Sequence, residues 1–387
     1  MNVQSLRDSL PFTSNCLYLN AGFACSPPLP VLERITTTLE QEASVGPGSP
    51  AGLILAKDID ENARNVIANF VGANPDDIQI THSSREGISI ILYGIRWRPG
   101  DNLLLCDLEH PSLSTPAEVL AWRMGVKVVK PKFDSQATHS EILQAIEASM
   151  SRNTRLIALS HIQYGGGLLM PVQEIAGVAR ERDILFFVDG AQSVGQIAVN
   201  VGELSCDFYA LSGQKWLMGP VGTGALYVRP ESQDKLEPLF TTHEIEARYQ
   251  SPYPPLSHFA LTSHNTGLVA GLAEAVRLQD EIGVDRIEGR IRGLAALLRR
   301  RLETLPVRVL SATSPSSSAG IVTISVSDWP SRALVTELRT RFKIVARGVN
   351  APEGVRFCTA YFNTEEEIEQ VVSGLDELVA EGYSSRE

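Results

Sequence analysis

Residues 184–228 read ILFFVDGAQSVGQIAVNVGELSCDFYALSGQKWLMGPVGTGALYV. Three short, almost wholly apolar runs lie within them: ILFFVD (184–189), DFYAL (207–211) and GALYV (224–228). Runs this short and this apolar are what strands buried on both faces look like, in a sheet with helices on either side. Upstream, DNLLLCD (101–107), VKVVKP (126–131) and RLIALS (155–160) repeat the pattern. Helical periods around 113–124, 139–149 and 172–182 supply crossovers, and Leu32–Ala43 and Ile59–Val71 read as amphipathic helices. The alternation predicts an α/β fold with a mostly parallel sheet.

Downstream the rhythm changes. A helical stretch over 265–304 precedes strands near 306–311 and 320–326, a helix at 331–341, strands near 343–347 and 354–360, and a last helix at 364–381. This reads as a smaller α+β unit. We expect an N-terminal segment (1–25) packing near that unit, a large α/β domain (26–265) and a small C-terminal domain (266–387).

Composition narrows the partners. With 43% hydrophobic and 20% charged residues, the chain is neither disordered nor a disulfide scaffold. A net charge of −11 disfavours nucleic acid and anionic membrane, while a local basic pocket for one small anion stays possible. The five scattered cysteines contain no CxxC, which suggests a reducing compartment and no zinc knuckle. The opening MNVQSLRDSLPF has no apolar signal region and no run is long enough to span a bilayer, so a cytoplasmic location is expected.

Three segments carry chemistry at predicted strand ends, where open α/β sheets bind ligands. Asp189 ends an apolar strand before a Gly-Ala turn; a carboxylate there needs a positive partner or donors, although a lone Asp also reads as a helix cap. Lys215 lies between Ser212-Gly213 and a Gly/Pro-rich loop, where a desolvated amine can form a Schiff base, although any single loop lysine also reads as solvated. THSSREGISII (81–91) is a strand end, a Ser-Ser-Arg turn and a helix start, a phosphate cradle or simply a cap. Taken together, a phosphate site, a buried carboxylate and a nearby lysine are what pyridoxal phosphate requires.

VDGAQSVG (188–195), DFYALSGQKW (207–216), LEHPS (108–112) and YLNAGFA (18–24) resemble the fold-type I pyridoxal-phosphate enzymes of aminotransferase class V, a group with cysteine desulfurases, isopenicillin N epimerases and cystine C–S lyases. The resemblance implies Lys215 as the aldehyde-binding lysine, Asp189 as partner of the pyridinium nitrogen, Gln192 as donor to the ring hydroxyl and His110 stacked on the ring. It implies Ser84, Arg85, Ser212 and Gln214 around the phosphate, with Ser263 reaching it from the second subunit of a homodimer. Gln214 departs from the family's His, and Tyr164 stands where desulfurases carry Asn. Substrate contacts are implied for Arg356, Arg347, Tyr164, Ala21 and Gly22, with Gln163, His243 and Arg248 helping to shape the pocket; no metal is expected.

Only eight residues, GVNAPEGV (348–355), separate Arg347 from Arg356, and none is the cysteine that desulfurases carry on a longer loop there. The resemblance therefore points to β-elimination from a cysteine-type substrate, with Lys215 as base. Transamination, epimerisation or decarboxylation of a bulkier amino acid, a desulfurase using Cys25 or Cys358, and an inert binding module are the alternatives. Free cysteines commonly behave as small hydrophobes.

Overall fold

The apolar runs form strands where the sequence places them, and the edges are set by caps. The computed structural model describes residues 2–239 and 256–383. A short strand β1 (Leu17–Tyr18) precedes the large sheet, which is built from β2 (Ile78–Thr81), β3 (Asn102–Leu104), β4 (Lys127–Val129), β5 (Thr154–Ser160), β6 (Leu185–Asp189), β7 (Phe208–Ser212) and β8 (Gly224–Val228). Its spatial order is β2-β8-β7-β6-β5-β3-β4. All neighbours are parallel except β8, which runs antiparallel to both β2 and β7. The loop from Gly213 to Thr223 holds no crossover helix, so β8 has to turn back.

Both faces of this sheet are buried. Phe186, Val188, Tyr209 and Leu211 pack into one core, and Phe187, Phe208 and Ala210 into the other. Because β2, β3, β5, β6 and β7 point the same way, Thr81, Leu104, Ser160, Asp189 and Ser212 end at one edge. That edge is where segments far apart in the chain meet.

A second sheet of β9 (Val307–Val309), β10 (Ile321–Val326), β12 (Arg347–Asn350) and β13 (Glu353–Cys358) has the order β12-β13-β10-β9 and is antiparallel throughout. Between them β11 (Ile344–Val345) pairs in parallel with β1, which brings the N-terminal segment beside this sheet. The stretch expected as one helix over 265–304 is two, Thr266–Ile282 and Val284–Leu302, broken at Gly283 with φ +90°. Thr266–Ile282 buries Val269, Leu272 and Val276 in the large core. In the next helix Ile287 and Ile291 face the large core, whereas Leu294, Leu298 and Leu302 face the small one. The expected strand at 354–360 ends earlier, at Cys358, and 347–350 forms a hairpin with it. Among the described residues no helix is long and apolar enough to cross a membrane.

The two sheets touch at the loop after β5. A Cβ on Gly165 would overlap the carbonyl oxygen of Ala351 at the hairpin turn, and one on Gly167, at φ +71°, would meet Ile321. Thr323 Oγ1 donates to the Gly165 carbonyl at 2.5 Å. Only glycine allows this approach. Gly165→Ala is expected to destabilise the fold by about 1–3 kcal/mol through overpacking, measured as a lower midpoint of urea unfolding.

Candidate active site

Lys215 follows β7 by a tight turn in which the Gly219 N–H donates to Gly213 O at 2.8 Å and the Met218 N–H to Lys215 O at 3.0 Å. The neighbouring Trp216 is buried and anchors the turn, its indole N–H donating to Gln192 Oε1 at 2.8 Å. Burial pulls the Lys215 amine down to about 8; the Asp189 carboxylate opposes the shift, and Arg356 and Arg85 add to it. Asp189 is itself 4% exposed, with Oδ1 accepting the Ala191 N–H at 3.0 Å. Burial raises its carboxyl, and Lys215 and the Ala191 N–H pull the other way.

The helix Ser84–Gly94 opens at the same edge, capped by Ser83. Ser212 Oγ donates to Ser84 Oγ at 2.8 Å, which links two strand ends through buried hydroxyls. Arg85 Nε donates to Ser112 Oγ at 2.8 Å, and Ser112 Oγ lies 2.7 Å from His110 Nδ1. His110 caps the helix Pro111–Met124, and its Nδ1 accepts the Ser112 N–H at 3.0 Å, so the neutral ring carries its proton on Nε2. Burial, then the cations Lys215, Arg85, Arg347 and Arg356, pull His110 down to about 4. Its neighbour Glu109 is buried beneath, accepting from Ser160 N–H at 3.1 Å and Gln163 Nε2 at 2.8 Å, and so fixes the turn.

Arg356 sits on β13 and is 2% exposed. Its Nη1 donates to Tyr164 O at 2.7 Å and its Nη2 to Asn20 Oδ1 at 3.4 Å, but its buried Nε has no partner among the described residues. Arg347, opposite it on β12, lies 4.0 Å over the Phe23 ring. Among the described residues none of Arg85, Lys215, Arg347 and Arg356 has a carboxylate within 4.0 Å. A buried guanidinium without an anion is costly, so the pocket is built to receive one.

These groups share a cavity of about 550 Å³ lined by Ser84, Arg85, His110, Tyr164, Gln192, Ser212, Gln214, Lys215, Arg347, Arg356 and Gly22, all expected from the sequence. Asp189 and Ala21 are buried and do not line it, and Ser263 is exposed in the loop before Thr266 and does not line it either. Gln192 Nε2 donates to Gly22 O at 2.8 Å, leaving a second N–H. Gln163 lies behind the wall on Glu109, and His243 and Arg248 lie outside the described residues. His82, Phe23, Ser112 and Val221 also line the cavity and were not anticipated. His82, three residues from Arg85 in a strand-end turn, was the one with a positional signal.

The donor set fits pyridoxal phosphate. Helix amides with Ser84, Ser212 and Arg85 match a phosphate, the Lys215 amine an aldehyde, Asp189 a ring nitrogen, and the orphaned Arg356 Nε a carboxylate. Because the folded chain holds Lys215 at about 8 against 10.5, the unfolded chain binds more protons between those values, and stability there rises with pH. In the cofactor-free protein this rise is expected to be shallower in Lys215→Met, measured by denaturant unfolding at several pH values. Equal slopes would place the amine in water.

Comparison with known proteins agrees with this geometry. A family profile described as aminotransferase class-V matches residues 18–371. The chain is 27% identical to a probable cysteine desulfurase of Pyrococcus abyssi, over 99% of each protein. It is 30% identical to the isopenicillin N epimerase of Streptomyces clavuligerus, over 82% of this chain and 84% of that one. The structure of the cystine C–S lyase C-DES with its product cysteine persulfide superimposes with a TM-score of 0.89 at 27% identity, covering 95% of this chain and 99% of that one. In a variant of that lyase glycine is covalently linked to the pyridoxal-phosphate cofactor; the TM-score is 0.87, at 27% identity over 96% of this chain and 99% of that one. With the profile spanning both sheets and the lysine, the carboxylate and the Ser84–Arg85 turn all at one strand edge, the chain belongs to the aminotransferase class-V family of pyridoxal 5'-phosphate enzymes.

Proposed function

We propose that the protein catalyses β-elimination from a cysteine-type amino acid (cystine, a cysteine S-conjugate or a cysteine sulfoxide), giving pyruvate, ammonia and a sulfur product. The observation that carries this reading is the hairpin joining the two arginines. Arg347 pairs with Arg356 and Asn350 with Glu353, which leaves Ala351 and Pro352 as the whole turn, with no thiol on it. Two other thiols flank the cavity wall. Cys25, whose N–H donates to Gln214 O at 2.7 Å, is 4% exposed and pushed up to about 12 by burial. Cys358 is fully buried behind Gly22. Neither is an exposed thiolate able to take up sulfur.

When bound, pyridoxal phosphate supplies the electron sink for the pair left on Cα. The chain supplies the rest. Arg356 offers its orphaned Nε and remaining Nη protons to the α-carboxylate, a fork that lysine lacks. Lys215, near neutral because its amine is desolvated, takes the Cα proton onto Nζ. Asp189 would keep the ring nitrogen protonated, and Ser84, Ser212 and Arg85 would hold the phosphate. His110, held uncharged by burial and by the nearby cations, would cover the ring without adding charge.

We infer also that the protein acts as a homodimer with Ser263 completing the partner's phosphate site. Leu29, Leu32, Leu53 and Ile54 are 41–62% exposed on two helices, and Val221 on the cavity rim is 67% exposed, which supports a covering partner. The likeness to isopenicillin N epimerase supports a second reading in which the same proton is removed and returned, or passed on, without loss of a β-substituent.

Holoenzyme incubated with a panel of S-substituted cysteines and ordinary amino acids is expected to release pyruvate and ammonia from the former only. Alanine with enzyme-bound persulfide, or inverted amino acids and 2-oxo acids, would overturn this in favour of desulfuration or the second reading. Cys25→Ala and Cys358→Ala are expected to retain pyruvate release. Arg356→Lys is expected to lower kcat/KM by about 10–100-fold by losing the charge-assisted fork, mostly through KM in steady-state assays.

A further inference from the structure

Elimination leaves a sulfur anion, and the cavity wall contains few groups able to give it a proton. The serines and amides that line the cavity are far too weak as acids, and the guanidinium groups of Arg85, Arg347 and Arg356 do not release protons. His110 is held neutral, with Nδ1 occupied by Ser112, so its remaining Nε2 proton is not acidic. His82 stands at the phosphate end and is tied through Nδ1 to Glu86 Oε2 at 2.7 Å. Lys215 and Tyr164 remain. Lys215, once it has taken the Cα proton, is an ammonium and so the rival donor.

Tyr164 lines the cavity with Arg356 and Arg347. Its main chain is pinned by the Arg356 Nη1 bond at 2.7 Å, and the glycines next in the chain pack under the hairpin turn. Its ring stands edge-to-face on His110, with centroids 4.8 Å apart at 88°. Its hydroxyl has no hydrogen-bond partner among the described residues, and it feels both Arg356 and Arg347. We propose that the Tyr164 hydroxyl is the general acid that protonates the departing sulfur, an inference that rests on the elimination reading above.

The balance closes without an oxidant or reductant. The Cα proton goes to Lys215 Nζ, the Cβ–S bond breaks with its electron pair on sulfur, and sulfur takes the phenolic proton. The Lys215 ammonium then returns its proton to the phenolate through solvent. Burial keeps the phenol protonated at rest, while the two guanidinium groups favour the transient phenolate.

The test compares wild-type and Tyr164→Phe holoenzyme on S-aryl and S-alkyl cysteines, whose thiols differ in acidity. Pyruvate release from S-alkyl substrates is expected to fall about 10²-fold or more, and that from S-aryl substrates carrying electron-withdrawing groups under about tenfold, since a stable thiolate leaves without an acid. Exchange of the Cα proton with deuterated solvent, tracked by NMR, is expected to keep its wild-type rate, because Lys215 performs it. An equal loss on all substrates, or a matching loss of Cα exchange, would overturn the role of Tyr164 and make it a packing residue. No loss on S-alkyl substrates would overturn it in favour of Lys215 as the donor. Wild-type enzyme that exchanges Cα protons yet releases no pyruvate from any substrate would instead overturn the elimination reading itself.

Discussion

A buried guanidinium, Arg356, with no counter-charge among the described residues governs this site. Arg356 is 2% exposed and is held only by a carbonyl and an amide oxygen, with its Nε unmatched among the described residues. Taking such a group out of water costs several kcal/mol even after relaxation. The fold accepts that cost because Arg356 is locked into β13 between β10 and β12, and because its partners come from the loop after β5 and the N-terminal segment. An anionic ligand at Arg356 would offset that cost.

Burial, with this excess of positive charge adding to it, sets the ionisation of Lys215 and His110. Lys215 is pulled toward neutrality and His110 is kept uncharged, while burial raises the Asp189 carboxyl and Lys215 with the Ala191 N–H pulls it back. A base, a neutral ring and a fixed carboxylate then coexist near neutral pH within one cavity. Each property arises from packing: the same residues in water would be an ammonium, a half-protonated imidazole and an ordinary carboxylate.

Desulfuration, C–S cleavage and epimerisation, the reactions for which the relatives are named, diverge in the fate of the β-substituent. That divergence maps here onto the rim of the pocket rather than its floor. The floor is the strand edge with Ser212 and Lys215, over the buried Asp189; the rim is the two-residue hairpin turn, Tyr164, and Phe23 under Arg347. A two-residue turn without a thiol, and a phenol beside it, give this rim its character.

Much of this was legible in the order of residues. Apolar runs of strand length located the large sheet, and DGAQ and SGQKW fell at the strand edge beside the cavity, because burial on both faces and a strand-end turn each leave a local signature. Hydrophobic period and turn chemistry thus dictate which strands form, where they end, and which acids, bases and cations stand at those ends. The break at Gly283 and the reach of Thr266–Ile282 into the large core were not legible, since a glycine inside a helical period is compatible with either outcome. The burial of Cys25 and Cys358 agrees with reading free cysteines as small hydrophobes. Packing in three dimensions settles which groups meet and in what charge state. Ser212 finds Ser84 across 128 residues and Arg356 finds Asn20 across 336, and pKa values respond to burial and to nearby charge in space, neither of which is written along the chain.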